Sequence, residues 1–287
     1  MGTLLQDLRY GLRMLAKNPG FTSVAVLTLA LGIGASTAVF SVLEGVLLKP
    51  LPYPHPDELV EVLHSAPGAN FKEIVASPSM YFIYREQSRT FQDIGLYTDD
   101  SVSVTGVGEP DQVQALRVTD GTLPILGISP MLGRWFTRAD DLPSSPDTVM
   151  LTYGYWRGKF GGDSSIIGRS ITVDGKSRQV IGVLPQRFSF MDQDVPPLIL
   201  PFKFDRNKTF LGNFSYQAVA RLRPEATVAQ ANADVARMIP IVYRSFPAPL
   251  GFSVKLFEQL RIRPDIRPLK HSGRRPPWRR PTLTWRV

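Results

Sequence analysis

The sequence predicts an α+β protein in which one N-terminal transmembrane helix precedes a domain of two α+β lobes, the second inserted into the first. Three observations predict this class. Residues 21–43 form a run of 23 uncharged amino acids, long enough to cross a membrane. Residues 94–119 alternate apolar and polar side chains, as half-buried strands do. Residues 227–242 place apolar side chains at helical spacing between two strand-like segments, which indicates a β-α-β unit.

The predicted transmembrane helix spans residues 21–48. At about 1.5 Å per residue its uncharged run extends roughly 34 Å, which matches a hydrocarbon core of about 30 Å. A buried core helix rarely needs so long an uncharged run, and the apolar stretch of a cleaved signal peptide is typically about half as long. We therefore expect a retained anchor that ends near Lys49, where a proline-dense stretch cannot continue the helix.

Residues 1–20 predict an amphipathic elbow helix on the cytoplasmic surface of the membrane. Its leucines recur at helical spacing opposite the charges, and Asn18-Pro19-Gly20 separates it from the spanning helix. Three basic residues against Asp7 flank the apolar run, and the positive flank of a membrane helix is held in the cytoplasm. We expect a single-pass protein with its N-terminus in the cytoplasm and residues 50 onward outside.

Small residues recur every four positions along the predicted membrane helix and form faces that allow close helix contact. One face holds Ala30, Gly34 and Ala38, and another holds Gly32 and Ser36. A dimer through a small-residue face is one interpretation of this pattern. The other is that small residues are common in membrane helices.

The outer domain, residues 50–260, begins with extended chain and a predicted strand over residues 58–63. Ser77 is a predicted N-cap for a helix over residues 80–91, because its hydroxyl can accept from a backbone N–H of the first turn. Asp174-Gly175 is the clearest hairpin signal, since it favours the positive φ angles of a type I′ turn between two β-branched runs.

The last predicted elements are a strand over residues 216–224, a helix capped by Thr227 and a strand over residues 252–260. The helix is alanine-rich and amphipathic, with one face that contains Val228, Ala231, Val235 and Met238. This β-α-β unit is expected to close the ordered part of the chain.

Positive charge is concentrated at the C-terminus. The net charge is +8, and nine of the 33 basic residues but one of the 25 acidic residues lie in residues 261–287. The preceding 260 residues are therefore neutral overall. The terminal segment is rich in arginine and proline without apolar periodicity, so we expect a disordered tail. Binding of this tail to anionic lipid headgroups is an alternative role, whereas nucleic-acid binding conflicts with an extracytoplasmic location.

No residue is predicted to be catalytic, cofactor-binding or metal-binding. The chain has no cysteine, and the nine-residue separation of His55 and His64 suits neither a helical nor a hairpin metal site, so we expect them to be solvated or capping. Neither a G-x-S-x-G nucleophile pattern nor a Walker A pattern is present. Any ATP-driven function must therefore use an ATPase on another chain.

Two further groups of residues have ordinary structural interpretations. The pairs Asp99-Asp100 and Asp140-Asp141 do not lie in a twelve-residue calcium loop, so we expect solvated loop carboxylates. Four aromatic side chains could stack on a ligand, but such a density usually fills a core: Trp135, Tyr153, Tyr155 and Trp156.

Residues 4–60, 77–97, 126–141 and 151–190 carry a family resemblance. They include the runs LLQDLRYGLRMLAKNPGF, SPSMYFIYREQSRTF, LGISPMLGRWFTRADD and SITVDGKSRQVIGVLP. In this order they resemble the bacterial MacB-like, FtsX-related ABC transporter permeases, especially their acidobacterial-type branch. The resemblance covers most of the chain and agrees with the elements predicted above.

The resemblance implies a periplasmic core domain anchored in the bacterial inner membrane. Its lobes would be a discontinuous one, residues 53–127 plus 214–258, and an inserted β-rich one, residues 128–213. Family members continue into three further membrane helices and pair as dimers with cytoplasmic ABC ATPase domains or subunits. The basic segment 261–287 stands where the next helix is expected, so the resemblance implies a C-terminally truncated chain without the main ATPase contact region.

The expected function is a noncatalytic, membrane-spanning permease component of an ABC-type efflux or export system, or of a mechanotransmission complex. Its expected partners are a cytoplasmic ABC ATPase, membrane lipid and a second copy of the chain, with no nucleic acid. The alternative is a membrane-anchored periplasmic binding or enzyme domain unrelated to transport, which the lack of a catalytic set argues against.

Overall fold

The computed structural model describes Tyr10 and residues 13–43, 51–191 and 195–269. Two compact units divide the chain, Met1–Pro50 and Leu51–Val287. Predictions for residues 1–9 and for the end of the membrane segment, residues 44–48, lie outside the described residues. So does the prediction for residues 270–287.

Helix α1, Pro19–Leu43, accounts for most of the described part of the first unit. Proline suits its first position, because the N–H that proline lacks would have no partner within the helix. Asn18 is not helical, so the predicted break before the spanning helix is confirmed. Within the described residues α1 is the one helix long and apolar enough to cross a membrane, and its 25 residues extend about 37 Å.

The second unit is a mixed α/β domain, and its described residues, 51–191 and 195–269, form eleven strands in one sheet. Its strands are β1 (Leu59–Ala66), β2 (Phe71–Ile74), β3 (Phe91–Thr105), β4 (Asp111–Val118), β5 (Leu132–Gly133), β6 (Thr148–Leu151), β7 (Ser170–Val173), β8 (Lys176–Val183), β9 (Leu198–Pro201), β10 (Gln217–Leu222) and β11 (Arg263–Pro268). Its helices are α2 (Pro78–Gln87), α3 (Thr122–Ile125), α4 (Tyr153–Phe160), α5 (Val228–Ser245) and α6 (Val254–Gln259).

The strand order is β11-β1-β10-β3-β4-β9-β6-β8-β5, with β2 paired to β1 and β7 paired to β3 and β8. The β4–β9 and β6–β8 pairs are parallel and the others antiparallel. Strands β5 to β9 all come from residues 128–213. They extend the same sheet as the other six strands, and the division of the domain into two lobes remains a prediction.

Alternation along β10 assigns its side chains to two different cores. Ala218, Ala220 and Leu222 lie in the core that α2 and α5 cover, whereas Val219 lies in the core on the opposite face, with residues of α3. Successive side chains of a strand point to opposite faces, so Arg221 shares the α3 face with Val219. This face contains the candidate site.

Several local predictions are confirmed. Asp174 and Gly175 have φ values of 51° and 72° in the turn between β7 and β8. The Ser77 hydroxyl accepts from the Met80 N–H and begins α2. Thr227 and Gln230 form a reciprocal capping box at α5, in which the two backbone–side-chain bonds measure 2.9 and 3.2 Å.

The predicted strand over residues 252–260 is wrong, because this segment contains α6. Phe252, Val254 and Leu256 stand at the alternate positions that the apolar residues of a strand occupy. In the structure Phe257 is the buried residue of α6, while Leu256 on the preceding position is 37% exposed. Val254, Phe257 and Leu260 all lie in one core or pack against it. They are three residues apart, which is the spacing of one face of a helix.

The predicted start of the disordered tail at residue 261 is also wrong. Strand β11 pairs with β1 over six residues, and Ile262, Ile266 and Leu269 are buried. Charged and proline residues on β11 suit an edge strand, because they discourage pairing with another chain. The composition that suggested disorder is therefore that of an edge strand as far as residue 268.

Candidate functional site

The linker segment, residues 51–58, leads into β1 and is fastened to the domain along its length. Leu51 and Tyr53 are buried although the segment is rich in proline. The Tyr53 hydroxyl donates to the carbonyl of Ser189 at 3.1 Å and accepts from the N–H of Met191 at 2.8 Å. The loop after β8 therefore holds the first half of the linker segment.

Arg221 fastens the second half, and every N–H donor of its guanidinium group has an acceptor. Its side chain is 11% exposed. Nε and Nη2 donate to the carbonyl of Ile125 at 2.9 and 2.7 Å, and Nη2 also donates to the carbonyl of Pro54 at 2.9 Å. Nη1 donates to the carbonyl of His55 at 3.1 Å and to the carboxylate of Glu58 at 2.9 Å. All five donors are thus satisfied, as a buried guanidinium requires.

Gly127 allows the chain after α3 to close on the linker segment. Its φ is +69°, and a Cβ at this position would lie 2.5 Å from Cγ of Pro54. Glycine is therefore required both by the backbone conformation and by the close approach. Together with Arg221 and the Tyr53 bonds, this contact makes the linker segment a bound part of the domain.

The C-terminal end of the described chain lies beside the linker segment. Strand β11 runs antiparallel to β1, and Leu269 donates its N–H to the carbonyl of Leu59 at 2.8 Å. Leu59 is the first residue of β1, so the linker segment and the end of β11 meet at one edge of the sheet. We call this arrangement of the linker segment, Arg221 and the β1–β11 edge the linker clamp.

Arg221 could not be recognised from the sequence alone as a functional residue. It lies in the correctly predicted strand β10, whose other members from Ala218 to Leu222 are buried. A cation inside a run of buried strand residues was the available signal. Its partners are three backbone carbonyls and one carboxylate far away in sequence, and no local pattern identifies them.

A second polar cluster surrounds Arg85 on α2. Its guanidinium forms ion pairs with Asp93 at 3.0 Å and with Asp120, and it donates to the Tyr81 hydroxyl at 2.6 Å. Burial lowers the pKa of Arg85, but the hydrogen bond to Asp120 and the surrounding negative charge raise it above its ordinary value. The group stays charged and ties α2 to the start of β3 and to the chain before α3.

The prediction that Asp140 and Asp141 are solvated loop carboxylates is wrong. Asp140 is buried and forms an ion pair with Arg134 at 2.7 Å. Burial raises the pKa of Asp140, but the hydrogen bonds from Arg134 and Thr137 outweigh burial and lower this pKa to about 2. Asp141 accepts from the backbone N–H of Asp120 at 3.0 Å, and burial raises its pKa. Both carboxylates hold the loop before β6 in place.

The pair Asp99-Asp100 is likewise not in a loop. Both residues lie inside β3, opposite Leu116 and Ala115 of β4, and Asp100 forms an ion pair with Arg117. The prediction of an aromatic core is confirmed for Trp156, which is buried. It is wrong for Trp135, which is 38% exposed.

His64 is the largest departure from the expected solvated or capping histidines. It is fully buried on β1, and its Nε2 lies 2.9 Å from the Tyr84 hydroxyl. Burial lowers its pKa to about 4, although the charge of Asp265 acts in the opposite direction. His55 is exposed and precedes a short 3₁₀ turn without a side-chain capping bond.

His64 is expected to make the domain less stable in acid. Its folded-state pKa lies below the ordinary value of 6.5, so the unfolded chain binds the proton more tightly. Stability is therefore full above pH 6.5 and falls toward pH 4, by about 3 kcal/mol in total. Thermal unfolding of the full chain, followed by near-ultraviolet circular dichroism, should show this fall.

The substitution His64→Gln should flatten this part of the pH profile, and His55→Gln should leave it unchanged. Both variants lose one imidazole, but only His64 is buried. Equal pH profiles for the two variants would contradict the assignment of the acid sensitivity to His64.

No group of three or more His, Asp or Glu side chains that could hold a metal ion occurs within residues 13–43, 51–191 and 195–269. The polar groups described above have structural roles. Among them, only the linker clamp involves the segment that follows the candidate membrane helix.

Comparison with known proteins identifies similar domains. A sequence model of the MacB-like periplasmic core domain matches residues 22–238. No curated protein sequence matches the chain.

Three solved structures are similar to this fold, each with 15% sequence identity. The first is a domain of a protein described as a permease from Porphyromonas gingivalis, with a TM-score of 0.55 over 76% of this chain and 94% of that chain. The second is the periplasmic region of MacB from Actinobacillus actinomycetemcomitans, with a TM-score of 0.48 over 64% of this chain and 84% of that chain. The third is the extracellular domain of the noncanonic ABC-type transporter YknZ from Gram-positive bacteria, with a TM-score of 0.47 over 64% of this chain and 93% of that chain.

Proposed function

The chain belongs to the family of the MacB-like periplasmic core domain, and from this membership we infer that it is the permease component of an ABC-type efflux or mechanotransmission complex. In this proposal α1 anchors the chain and the sheet domain transmits movement outside the membrane. Family members are transporter components and not typical enzymes, and no catalytic role is proposed.

The linker clamp is the observation that supports a transmitting role. A flexible tether would let the domain move independently of its anchor, whereas the linker segment here is held by Arg221, Tyr53 and the contact with Gly127. A displacement at residue 51 therefore reaches β10 and β1 directly. Packed elements transmit displacement because they cannot deform continuously.

The proposed partners follow from the family. Family relatives work with a cytoplasmic ABC ATPase. Such a partner would hydrolyse ATP for this chain, whose sequence has no Walker A pattern. A dimer could form through the small side chains Ala30, Gly34 and Ala38 of α1, and membrane lipid would surround the rest of that helix. The proposed lobes are those that the family resemblance implies, residues 53–127 with 214–258, and residues 128–213.

We propose the bacterial inner membrane as the location, with the N-terminus in the cytoplasm. The cysteine-free sequence makes a labelling test direct. Cysteine at the exposed position Ser144 should react with an impermeant maleimide added to spheroplasts, and cysteine at Thr3 should react only after lysis. The opposite pattern would contradict the proposed orientation, and release of the chain by alkaline carbonate would contradict the membrane anchor.

Lengthening the linker should uncouple the anchor from the domain. We expect insertion of Gly-Ser-Gly-Ser between Pro50 and Leu51 to abolish function without unfolding the domain, because the clamp would remain but its connection to the anchor would be slack. The measurement is growth of a strain that lacks the gene for this chain, complemented with each variant, on a panel of antibiotics and detergents.

The matched control is the same insertion between Gly108 and Glu109, in the exposed turn between β3 and β4. This variant should complement as well as the unmodified chain. Equal complementation by both insertions would show that the linker does not transmit movement. Failure of the unmodified chain to complement would count against the transport function itself.

A further inference from the structure

An apolar pocket of about 300 Å³ lies at the end of β1 that is remote from the linker clamp. Its lining includes four buried side chains, Ala66, Ile74, Phe214 and Phe257, and two more exposed ones, Phe252 and Leu256. The strand rises about 3.3 Å per residue, so roughly 23 Å of β1 separates Leu59 from Ala66. The pocket is therefore distinct from the site already described.

The walls of the pocket are held by backbone contacts. Gly68 donates its N–H to the carbonyl of Leu260 at 3.0 Å. A Cβ on Gly68 would lie 1.9 Å from the carbonyl oxygen of Gln259, so only glycine permits this approach. The loop after β1 and the end of α6 are thus locked together, and the space that they enclose is part of the fold.

The lining has the chemistry of a binding site for an uncharged molecule. Four phenylalanine rings contribute to it, and no charged side chain is among the described residues that line it. Gln259, an exposed residue, is the one with a polar side chain among the described residues of the lining. Binding pockets for small molecules are typically about 300–1,000 Å³ and mostly apolar with a few polar groups.

The volume argues for a compact ligand. An engineered apolar cavity of roughly 150 Å³ stays dry and binds benzene, and this pocket has about twice that volume. Aromatic rings favour edge-to-face and offset contacts with other rings, which four phenylalanines could offer. We propose that this pocket binds a small, uncharged, aromatic molecule. This inference does not depend on the proposed transport function.

Photolabelling of the full chain in phosphatidylcholine nanodiscs tests the proposal. The probe is 3-phenyl-3-(trifluoromethyl)diazirine, which is small, uncharged and aromatic, and mass spectrometry locates its adducts. We expect saturable labelling of peptides from residues 66–74 and 252–260, and competition by naphthalene. Labelling of these peptides that rises linearly with probe concentration would indicate simple partitioning and overturn the proposal.

Two variants that fill the mouth of the pocket should lower this labelling at least tenfold. They are Ala69→Leu and Leu256→Trp, both at exposed positions where added volume should not prevent folding. Their matched controls are Ala139→Leu and Leu142→Trp, which make the same changes at exposed positions outside the pocket lining. Unchanged labelling in both filling variants would overturn the proposal.

A lipid chain is the competing occupant. Excess lysophosphatidylcholine should leave the labelling of residues 66–74 unchanged if the pocket selects a small aromatic molecule. Loss of labelling with lysophosphatidylcholine but not with naphthalene would identify an acyl chain as the occupant and refute the proposal. Unchanged complementation by Leu256→Trp would leave the transport function standing, so the two proposals can fail separately.

Discussion

Replacing Arg221 with methionine is expected to lower the free energy of unfolding of the sheet domain by about 3 kcal/mol, because it removes a buried guanidinium with five hydrogen bonds, and a buried acceptor that loses its donor costs about 1–3 kcal/mol. The carboxylate of Glu58 and the carbonyls of Pro54, His55 and Ile125 would lose their donor. Such a loss is a large part of the 5–15 kcal/mol typical of a folded domain.

The linker segment should be released before the rest of the domain unfolds. In the Arg221→Met variant, we expect amide hydrogen exchange in residues 51–58 to become faster than in the unmodified chain under native conditions. Protease sensitivity should rise at the same residues. Denaturant titration followed by circular dichroism gives the change in global stability.

Two further substitutions separate the bonds of Arg221 from its charge. Arg221→Lys keeps the charge but supplies three donors instead of five, so its stability should be intermediate. Arg223→Met removes an exposed arginine two positions away and should change stability by less than about 0.5 kcal/mol. If Arg221→Met and Arg223→Met proved equally stable, the clamp would have no energetic basis.

Removing residues 261–269 is expected to unfold the domain or to make it aggregate. The deletion takes away β11 and the buried side chains of Ile262, Ile266 and Leu269. Burial of each such side chain contributes about 1.5–3 kcal/mol, so their summed loss approaches the total stability of a typical domain. It also uncovers the edge of β1, a ready template for pairing with other chains.

The comparison uses three purified fragments, residues 51–260, 51–269 and 51–287. We expect the second and third to be soluble and monomeric by size-exclusion chromatography, with the dispersed amide spectrum of a folded protein. The first should aggregate or lack such a spectrum. A folded fragment of residues 51–260 would restore the boundary that composition suggested and would show that β11 is dispensable.

Sequence reasoning predicted best the features that depend on neighbouring residues. The break at Asn18, the turn at Asp174-Gly175 and the caps at Ser77 and Thr227 were all identified in advance. In each case a few consecutive residues impose the backbone geometry, through a missing N–H, a positive φ or a side-chain acceptor. The uncharged run of α1 is local in the same sense.

The two errors in secondary structure occurred where two interpretations of a local pattern were equally possible. Residues 252–260 fit both a short strand and a short helix, and packing of Phe257 against the α5 side of the sheet selected the helix. Residues 263–268 have a composition common to disordered tails and to edge strands, and the open edge of β1 made them a strand. Both outcomes depended on partners far away in the sequence.

The sequence by itself therefore determined the apolar helix α1, the α+β class and the family, because an apolar run, strand alternation and turn residues act over short distances. Only the tertiary structure decided that Arg221 clamps the linker segment, that His64 is buried against Tyr84 and that β11 completes the edge of the sheet. The physical reason is burial. A buried charge or imidazole is defined by the donors, acceptors and apolar groups around it, and in this domain they come from segments that meet only when the sheet is formed.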